Sequence, residues 1–158
     1  MTTTNLPVDF GGKLTELSKI VYEANKEKGF HDKGRSFAET CMLIVSEISE
    51  AVEADRKDLA AFEGDAKVMM AEYQQGFFDS EHFKQTIKDT VEDELADALI
   101  RILDEAGRRG MDIEAHVMLK LAYNKTRPRL HGKKFWFRTL AQTLSVCQLQ
   151  GVSSFCFP

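Results

Sequence analysis

Two short motifs each place a pair of carboxylates one helical turn apart. Glu47 and Glu50 form the first pair, and Glu94 and Asp97 form the second. If the two helices faced each other, desolvation and like-charge repulsion would oppose the ionisation of all these acids together. Hard divalent cations that prefer oxygen ligands, Mg²⁺ or Mn²⁺, would compensate the charge. The spacing therefore predicts a metal site made of Glu47, Glu50, Glu94 and Asp97.

A solvated helix face is the alternative interpretation of both motifs, because charged residues make up 29% of the chain and such pairs also arise by chance. The apolar pattern favours the metal site. Each acidic pair flanks an apolar stripe at helical spacing, so we expect the stripes to be buried and the acids to border the core. The first stripe is centred on Ile48 and includes Cys41, Ile44, Val45, Ala51 and Val52; the second comprises Val91, Leu95, Leu99, Ile102, Leu103 and Ala106.

A polar stripe lies further along the chain. Lys120, Asn124 and Arg127 stand at positions i, i+4 and i+7, on one side of a helix. Two cations and an amide in line could grip phosphate oxygens, although a solvated face near a helix C-terminus has the same composition. His31, in a loop before the first acidic helix, is a candidate for contact with a base. A simply exposed loop histidine is the alternative there.

Helical periodicity accounts for most of the chain, and no strand-like alternation interrupts it, which predicts an all-α protein with four main helices. We expect the first helix over residues 12–28. The second begins at Ser36, whose S-x-x-E capping box with Glu39 marks a helix start, and ends near residue 57. One or two short helices are expected in the less regular segment 58–88.

The last two main helices are bounded by caps and breakers. The third begins near Thr90, with Asp93 as a weaker capping partner, and ends in the glycine-containing run 107–110. The fourth starts after Asp112 and must stop before Pro128.

Composition limits the class of partner. A chain of 158 residues with a net charge of −4 is one domain of ordinary size that is poorly suited to a nucleic-acid backbone or an anionic membrane. No apolar run approaches the roughly 20 residues that span a bilayer, and the N-terminal sequence lacks the pattern of a signal peptide. We therefore expect a cytoplasmic protein. The three cysteines form neither a disulfide framework nor a zinc motif.

Residues from about Phe30 to Phe135 resemble the MazG-like members of the all-α nucleoside triphosphate pyrophosphohydrolase superfamily, which is related to the dimeric dUTPases. Three segments carry the resemblance, in order: 46–51, 93–99 and 120–128 with 131–134. It implies a four-to-five-helix MazG-like bundle completed by homo-oligomerisation, as a homodimer or homotetramer. The domain would cover residues 1–135, with residues 136–158 as a C-terminal extension of unknown role.

The resemblance also implies an activity. The protein would be a Mg²⁺-dependent enzyme, with Mn²⁺ as an alternative ion, that cleaves a (d)NTP between its α and β phosphates to a monophosphate and pyrophosphate. In this scheme the four acids bind metal, and Lys120, Asn124 and Arg127 contact the nucleotide. Glu47 or Glu50 would accept the proton of the attacking water, and the sequence does not choose between them. Clearing unwanted nucleotides from the pool is the role that the resemblance suggests.

Three features depart from the family pattern: Ser46 stands where a second adjacent acid is common, the segment 58–88 is long, and the tail 136–158 has no counterpart. Two other classes of protein are alternatives to a pyrophosphohydrolase. A di-iron carboxylate bundle needs a histidine three residues after a glutamate, which none of the histidines provides. A non-catalytic helical dimer that binds a partner protein remains the alternative, and it predicts no metal binding.

Overall fold

The computed structural model describes residues 12–129, and this part of the chain contains α-helices and no strand. The prediction of an all-α protein is confirmed. The helices are α1 (Lys13–Glu27), α2 (Phe37–Arg56), α3 (Glu63–Gln74), α4 (Ser80–Thr86), α5 (Val91–Arg108) and α6 (Ile113–Lys125). The chain forms two compact units, and the first of them ends at Asn124. The predicted boundary between residues 135 and 136 lies outside the described residues.

Local signals explain where the main helices begin. At the start of α2, the Ser36 hydroxyl accepts a hydrogen bond from the Glu39 amide at 3.2 Å, and the Glu39 carboxylate accepts one from the Ser36 amide at 2.7 Å. This is the predicted capping box, which satisfies two backbone donors reciprocally. At the start of α6, Asp112 accepts a hydrogen bond from the Ala115 amide at 3.1 Å, so the predicted cap is confirmed there too.

The N-terminus of α5 differs from the prediction in one detail. Thr90 caps the helix as expected, because its hydroxyl accepts a hydrogen bond from the Asp93 amide at 3.4 Å. The Asp93 carboxylate, however, accepts a hydrogen bond from the Asp89 amide at 3.0 Å. Asp89 has a positive φ of 62°, which turns its amide toward α5. The acidic side chain thus tightens the turn before the helix.

Helix α5 is the centre of the packing, since it contacts both α1 and α2. The approach of α1 is close at Gly107, where an added Cβ would lie 2.2 Å from the carbonyl oxygen of Ser18. The predicted end of the helix within residues 107–110 is confirmed, because α5 ends at Arg108. Gly107 lies within α5, and Gly110, with a positive φ of 61°, follows the helix end. Gly107 therefore serves helix packing, and the chain turns at Gly110.

The predicted burial of the apolar stripes holds for only part of each stripe in a single chain, since Ala51, Leu103 and Ala106 are buried while other members are exposed. Ile48 is 44% exposed and Leu99 is 50% exposed, whereas Glu47, which was expected at the rim of the core, is 5% exposed. Beside the acids, the two acidic helices bury small residues, Ala51 and Ala54 of α2 and Ala98 of α5. The buried apolar residues of the described chain are few and mostly small: Ala51, Ala54, Met69, Ala98, Leu103 and Ala106.

The segment between the acidic helices contains the two short helices that were expected there, α3 and α4. Met69, Phe78 and Phe83 line an apolar surface groove that these helices form. Within the described part of the chain, no helix combines the length and the apolar character that crossing a bilayer requires.

Candidate metal centre

The packing of α2 against α5 brings together acids from both motifs. Glu47 of α2 and Glu94 and Asp97 of α5 each place a carboxylate oxygen within 4.8 Å of the others. Glu47 and Glu94 are only 5% and 7% exposed, whereas Asp97 faces solvent. Residues 47 and 94 are far apart in sequence, so the tertiary structure and not a local motif creates this cluster. We refer to Glu47, Glu94 and Asp97 as the carboxylate cluster.

Burial and repulsion from neighbouring acids make ionisation of Glu94 and Asp97 unfavourable. Desolvation is the main cause that raises the pKa of Glu94, and the charges of Glu50, Asp93, Glu47 and Asp97 add to it. Desolvation also raises the pKa of Asp97, together with the charges of Asp93, Glu47 and Glu50. A cation among these oxygens would relieve both effects. Because the donors are all carboxylate oxygens, the set suits a hard ion such as Mg²⁺ or Mn²⁺.

Glu50 lies at the edge of this arrangement. Its side chain is exposed, and it is not among the acids whose oxygens approach within 4.8 Å. The charge of Glu50 nevertheless raises the pKa of Glu94, and its effect is larger than that of the charge of any other acid near Glu94. Glu50 is therefore close enough for its charge to affect the carboxylate cluster, while its side chain remains in contact with solvent.

No protein-family model, curated protein or solved structure matches this chain.

Sequence reasoning missed Arg101, the strongest polar partner of the carboxylate cluster. Its Nε donates a hydrogen bond to Glu47 Oε1 at 2.6 Å, and its second guanidinium nitrogen lies 2.5 Å from the same oxygen. The charge of Arg101 also opposes the rise in the pKa of Asp97. Arg101 stands four residues after Asp97 on the same helix face, but no local spacing relates it to Glu47, which is 54 residues away in the sequence.

A cavity of about 180 Å³ opens beside the carboxylate cluster. Asp97 and Arg101 form its wall on the cluster side, and Arg35 supplies a second cation. Asn25, Phe30 and Asp104 also line it, so the cavity offers an amide, an aromatic ring and a carboxylate. Arg35 and Asp104 were not singled out from the sequence, because nothing in their spacing relates them to the acidic motifs.

His31 is held in place and is not a freely exposed loop residue. Its Nε2 lies 2.9 Å from Asp104 Oδ1, and its ring meets Tyr22 edge-on with centroids 4.9 Å apart. Its side chain is 19% exposed. Because Asp104 also lines the cavity beside the carboxylate cluster, His31 is anchored to the wall of that cavity. Its contact with a base stays a prediction.

Lys120 and Asn124, two residues of the polar stripe, belong to α6. Lys120 is exposed, and its Nζ lies 5.3 Å from the centre of the Tyr123 ring. Asn124 is half-buried, and its Oδ1 is buried without a hydrogen-bond partner in the described part of the chain. Neither Lys120 nor Asn124 lines the cavity beside the carboxylate cluster. Arg127 belongs to the second compact unit, which begins at Lys125.

Proposed function

We propose that this protein is a Mg²⁺-dependent nucleoside triphosphate pyrophosphohydrolase of MazG-like type. It would cleave a (d)NTP between the α and β phosphates and release a monophosphate and pyrophosphate. The observation that carries the proposal is the carboxylate cluster, because Glu47, Glu94 and Asp97 come from the two acidic motifs that resemble the family. The cavity beside the cluster adds support, since Arg35 and Arg101 line it together with Asp97 and Asp104, and a triphosphate needs both a metal and positive side chains.

In this proposal the acids share the metal and proton chemistry. Glu47, Glu94 and Asp97 would hold the ion, with Glu50 at the entrance. When bound, such an ion neutralises the triphosphate and lowers the pKa of a water that attacks the α-phosphorus. Glu50 is our candidate for the proton acceptor, because Glu47 already accepts hydrogen bonds from Arg101 and is nearly buried. An exposed carboxylate can also return the proton to solvent.

Association of chains would complete both the core and the site. The apolar stripes around Ile48 and Leu99 are half exposed, which fits a homodimer or homotetramer in which each chain covers the stripes of another. Lys120, Asn124 and Arg127 are proposed to contact the phosphates in that assembly. The unsatisfied Asn124 Oδ1 supports a further polar partner for this stripe. The proposed role is the removal of unwanted nucleotides from a cytoplasmic pool.

The substitution Glu94→Gln tests the proposal, with Glu53→Gln as its control. Glu94→Gln keeps the shape of a buried side chain and removes one charge from the carboxylate cluster. We expect kcat/KM for triphosphates to fall by about 100-fold or more and the Mg²⁺ affinity to fall with it. Glu53, on the solvent side of α2, pairs only with Arg56 and Lys57 among the ion pairs found, so its substitution should leave both values unchanged. Full activity in Glu94→Gln would contradict the metal assignment.

A further inference from the structure

Arg101 forms an ion pair with Glu47, one of the carboxylates that would bind the proposed metal. Both of its guanidinium contacts, at 2.6 Å and 2.5 Å, go to Oε1 of Glu47. An arginine keeps its charge at every physiological pH, so a change of pH in that range does not remove the positive partner of Glu47. In the protein without metal, Arg101 therefore supplies the positive charge that a buried Glu47 requires.

The two partners differ in their freedom to move. The Glu47 side chain is 7% exposed and the Arg101 side chain is 37% exposed. Arg101 also lines the cavity that contains Arg35, so a change of its rotamer within that space would bring the guanidinium toward a ligand there. Glu47 lies at the α2–α5 contact and has no such space. If the pair separates, Arg101 is the side chain that moves.

A divalent ion in the carboxylate cluster would favour the movement of Arg101 away from Glu47. It would share Glu47 with the guanidinium, and two cations a few ångströms apart repel strongly in a partly buried site. An anionic group in the adjacent cavity would attract the guanidinium at the same time. Arginine suits such an exchange, because its planar fork binds carboxylates and phosphates with the same two-pronged geometry.

We propose that Arg101 is an exchangeable counter-ion that neutralises Glu47 in the metal-free protein and binds phosphate oxygens in the adjacent cavity once a divalent ion has displaced it. This inference rests on the proposed function, which it extends to a residue outside both acidic motifs. It makes the binding of metal and of polyphosphate cooperative, because each ligand favours the position of Arg101 that the other one needs.

The Nε–Hε resonance of Arg101 in ¹H–¹⁵N NMR spectra of the full chain reports the exchange directly. It is assigned by its loss in Arg101→Gln. We expect Mg²⁺ with inorganic pyrophosphate to shift it, because its hydrogen bond to Glu47 is replaced. The Nε–Hε of Arg108, which donates to Glu105 at 2.8 Å on the same helix, is the internal control and should stay in place. An unshifted Arg101 resonance in a sample that binds Mg²⁺ would overturn the inference.

Binding measurements on two variants provide a second test. By calorimetry, Arg101→Gln should bind Mn²⁺ about tenfold more tightly than the native chain, because the competing cation is gone, and should bind Mg²⁺-pyrophosphate about tenfold more weakly. Arg35→Gln removes the same charge from the same cavity without touching Glu47. It should weaken pyrophosphate binding and leave Mn²⁺ affinity within about twofold.

These measurements distinguish a failure of the proposed function from a failure of the Arg101 exchange. If the native chain binds no Mn²⁺, both the proposed function and this inference are wrong. If the native chain binds Mn²⁺ and turns over triphosphates, but Arg101→Gln has native affinity for Mn²⁺, the proposed function stands and the exchange is wrong. Should Arg101→Gln fail to fold, the NMR shift in the native chain still decides the question.

Discussion

The acids of the site differ in how their charge is compensated. Glu47 has a guanidinium partner, whereas Glu94 and Asp97 face mainly other acids. Elsewhere in the described chain, a buried acid is well paired: Glu105 accepts hydrogen bonds from Arg108 and Arg109, which lower its pKa. The contrast sets Glu94 apart, because a buried carboxyl without a cation destabilises the fold unless it is protonated or binds metal.

This contrast predicts a pH dependence of stability. The pKa of Glu94 is raised in the folded chain, so the folded state holds a proton that the unfolded state has already released. The stabilising effect of that proton is complete below the ordinary carboxyl pKa of about 4 and is lost as pH rises through the raised pKa. In chelator, the melting temperature of the native chain should therefore fall relative to that of Glu94→Gln as pH increases from about 4 through the raised pKa of Glu94.

Thermal unfolding of the two proteins at several pH values, with chelator and with Mg²⁺, checks this expectation. Mg²⁺ binds the ionised form, so it should reverse the trend at the higher pH values. A difference in melting temperature that stays constant with pH would show that Glu94 has an ordinary pKa in the folded chain.

At the scale of helices, the sequence predicts where a helix begins and ends better than it predicts which face of the helix is buried. The start of α2 follows from Ser36 and Glu39, which lie within one turn, and the end of α6 before Pro128 follows from the chemistry of proline. Which face is buried depends on distant partners. Glu47 is buried because α5 packs on its side of α2, and the Arg101 pair spans 54 residues. The acids of the candidate site could be predicted, but their cation could not.

Gly107 shows the same dependence on tertiary contact and allows a direct test. In Gly107→Ala, the new Cβ would lie 2.2 Å from the Ser18 carbonyl oxygen and 2.7 Å from Cβ of Tyr22, so α1 must move away from α5. Overpacking of this kind costs roughly 1–3 kcal/mol of unfolding free energy.

Gly34→Ala is the matched control for this change, since nothing lies within 4 Å of a Cβ at that position. Its unfolding free energy in urea should equal that of the native chain or exceed it slightly. Equal stability of the two variants would contradict the close α1–α5 contact.

At the scale of the whole molecule, the described chain exposes more large apolar side chains than it buries. Its buried apolar residues are chiefly alanines, whereas Leu17, Ile20, Val45, Ile48, Leu95 and Leu99 are at least 43% exposed. These side chains belong to α1, α2 and α5, the helices that pack together. The apolar stripes that the sequence predicts as core are thus available to another copy of the chain, which would bury them.

A homo-oligomer should be observed by light scattering coupled to size-exclusion chromatography. Ile48→Asp places a charge in the centre of the α2 stripe and should shift the protein to monomers with a lower melting temperature. Ser49→Asp adds the same charge to the neighbouring polar side of α2 and should leave the assembly intact. A native chain that is monomeric at micromolar concentrations would contradict association through these stripes.

The most direct test of the central claim is the identification of products from a panel of deoxy- and ribonucleoside triphosphates, with Mg²⁺ and with chelator. If the protein is the proposed pyrophosphohydrolase, a nucleoside monophosphate and pyrophosphate should form in equal amounts in a metal-dependent reaction, and Glu94→Gln should lack this activity. No turnover of any triphosphate, together with no Mg²⁺ or Mn²⁺ binding by calorimetry, would contradict the proposed function and would favour a non-catalytic helical dimer.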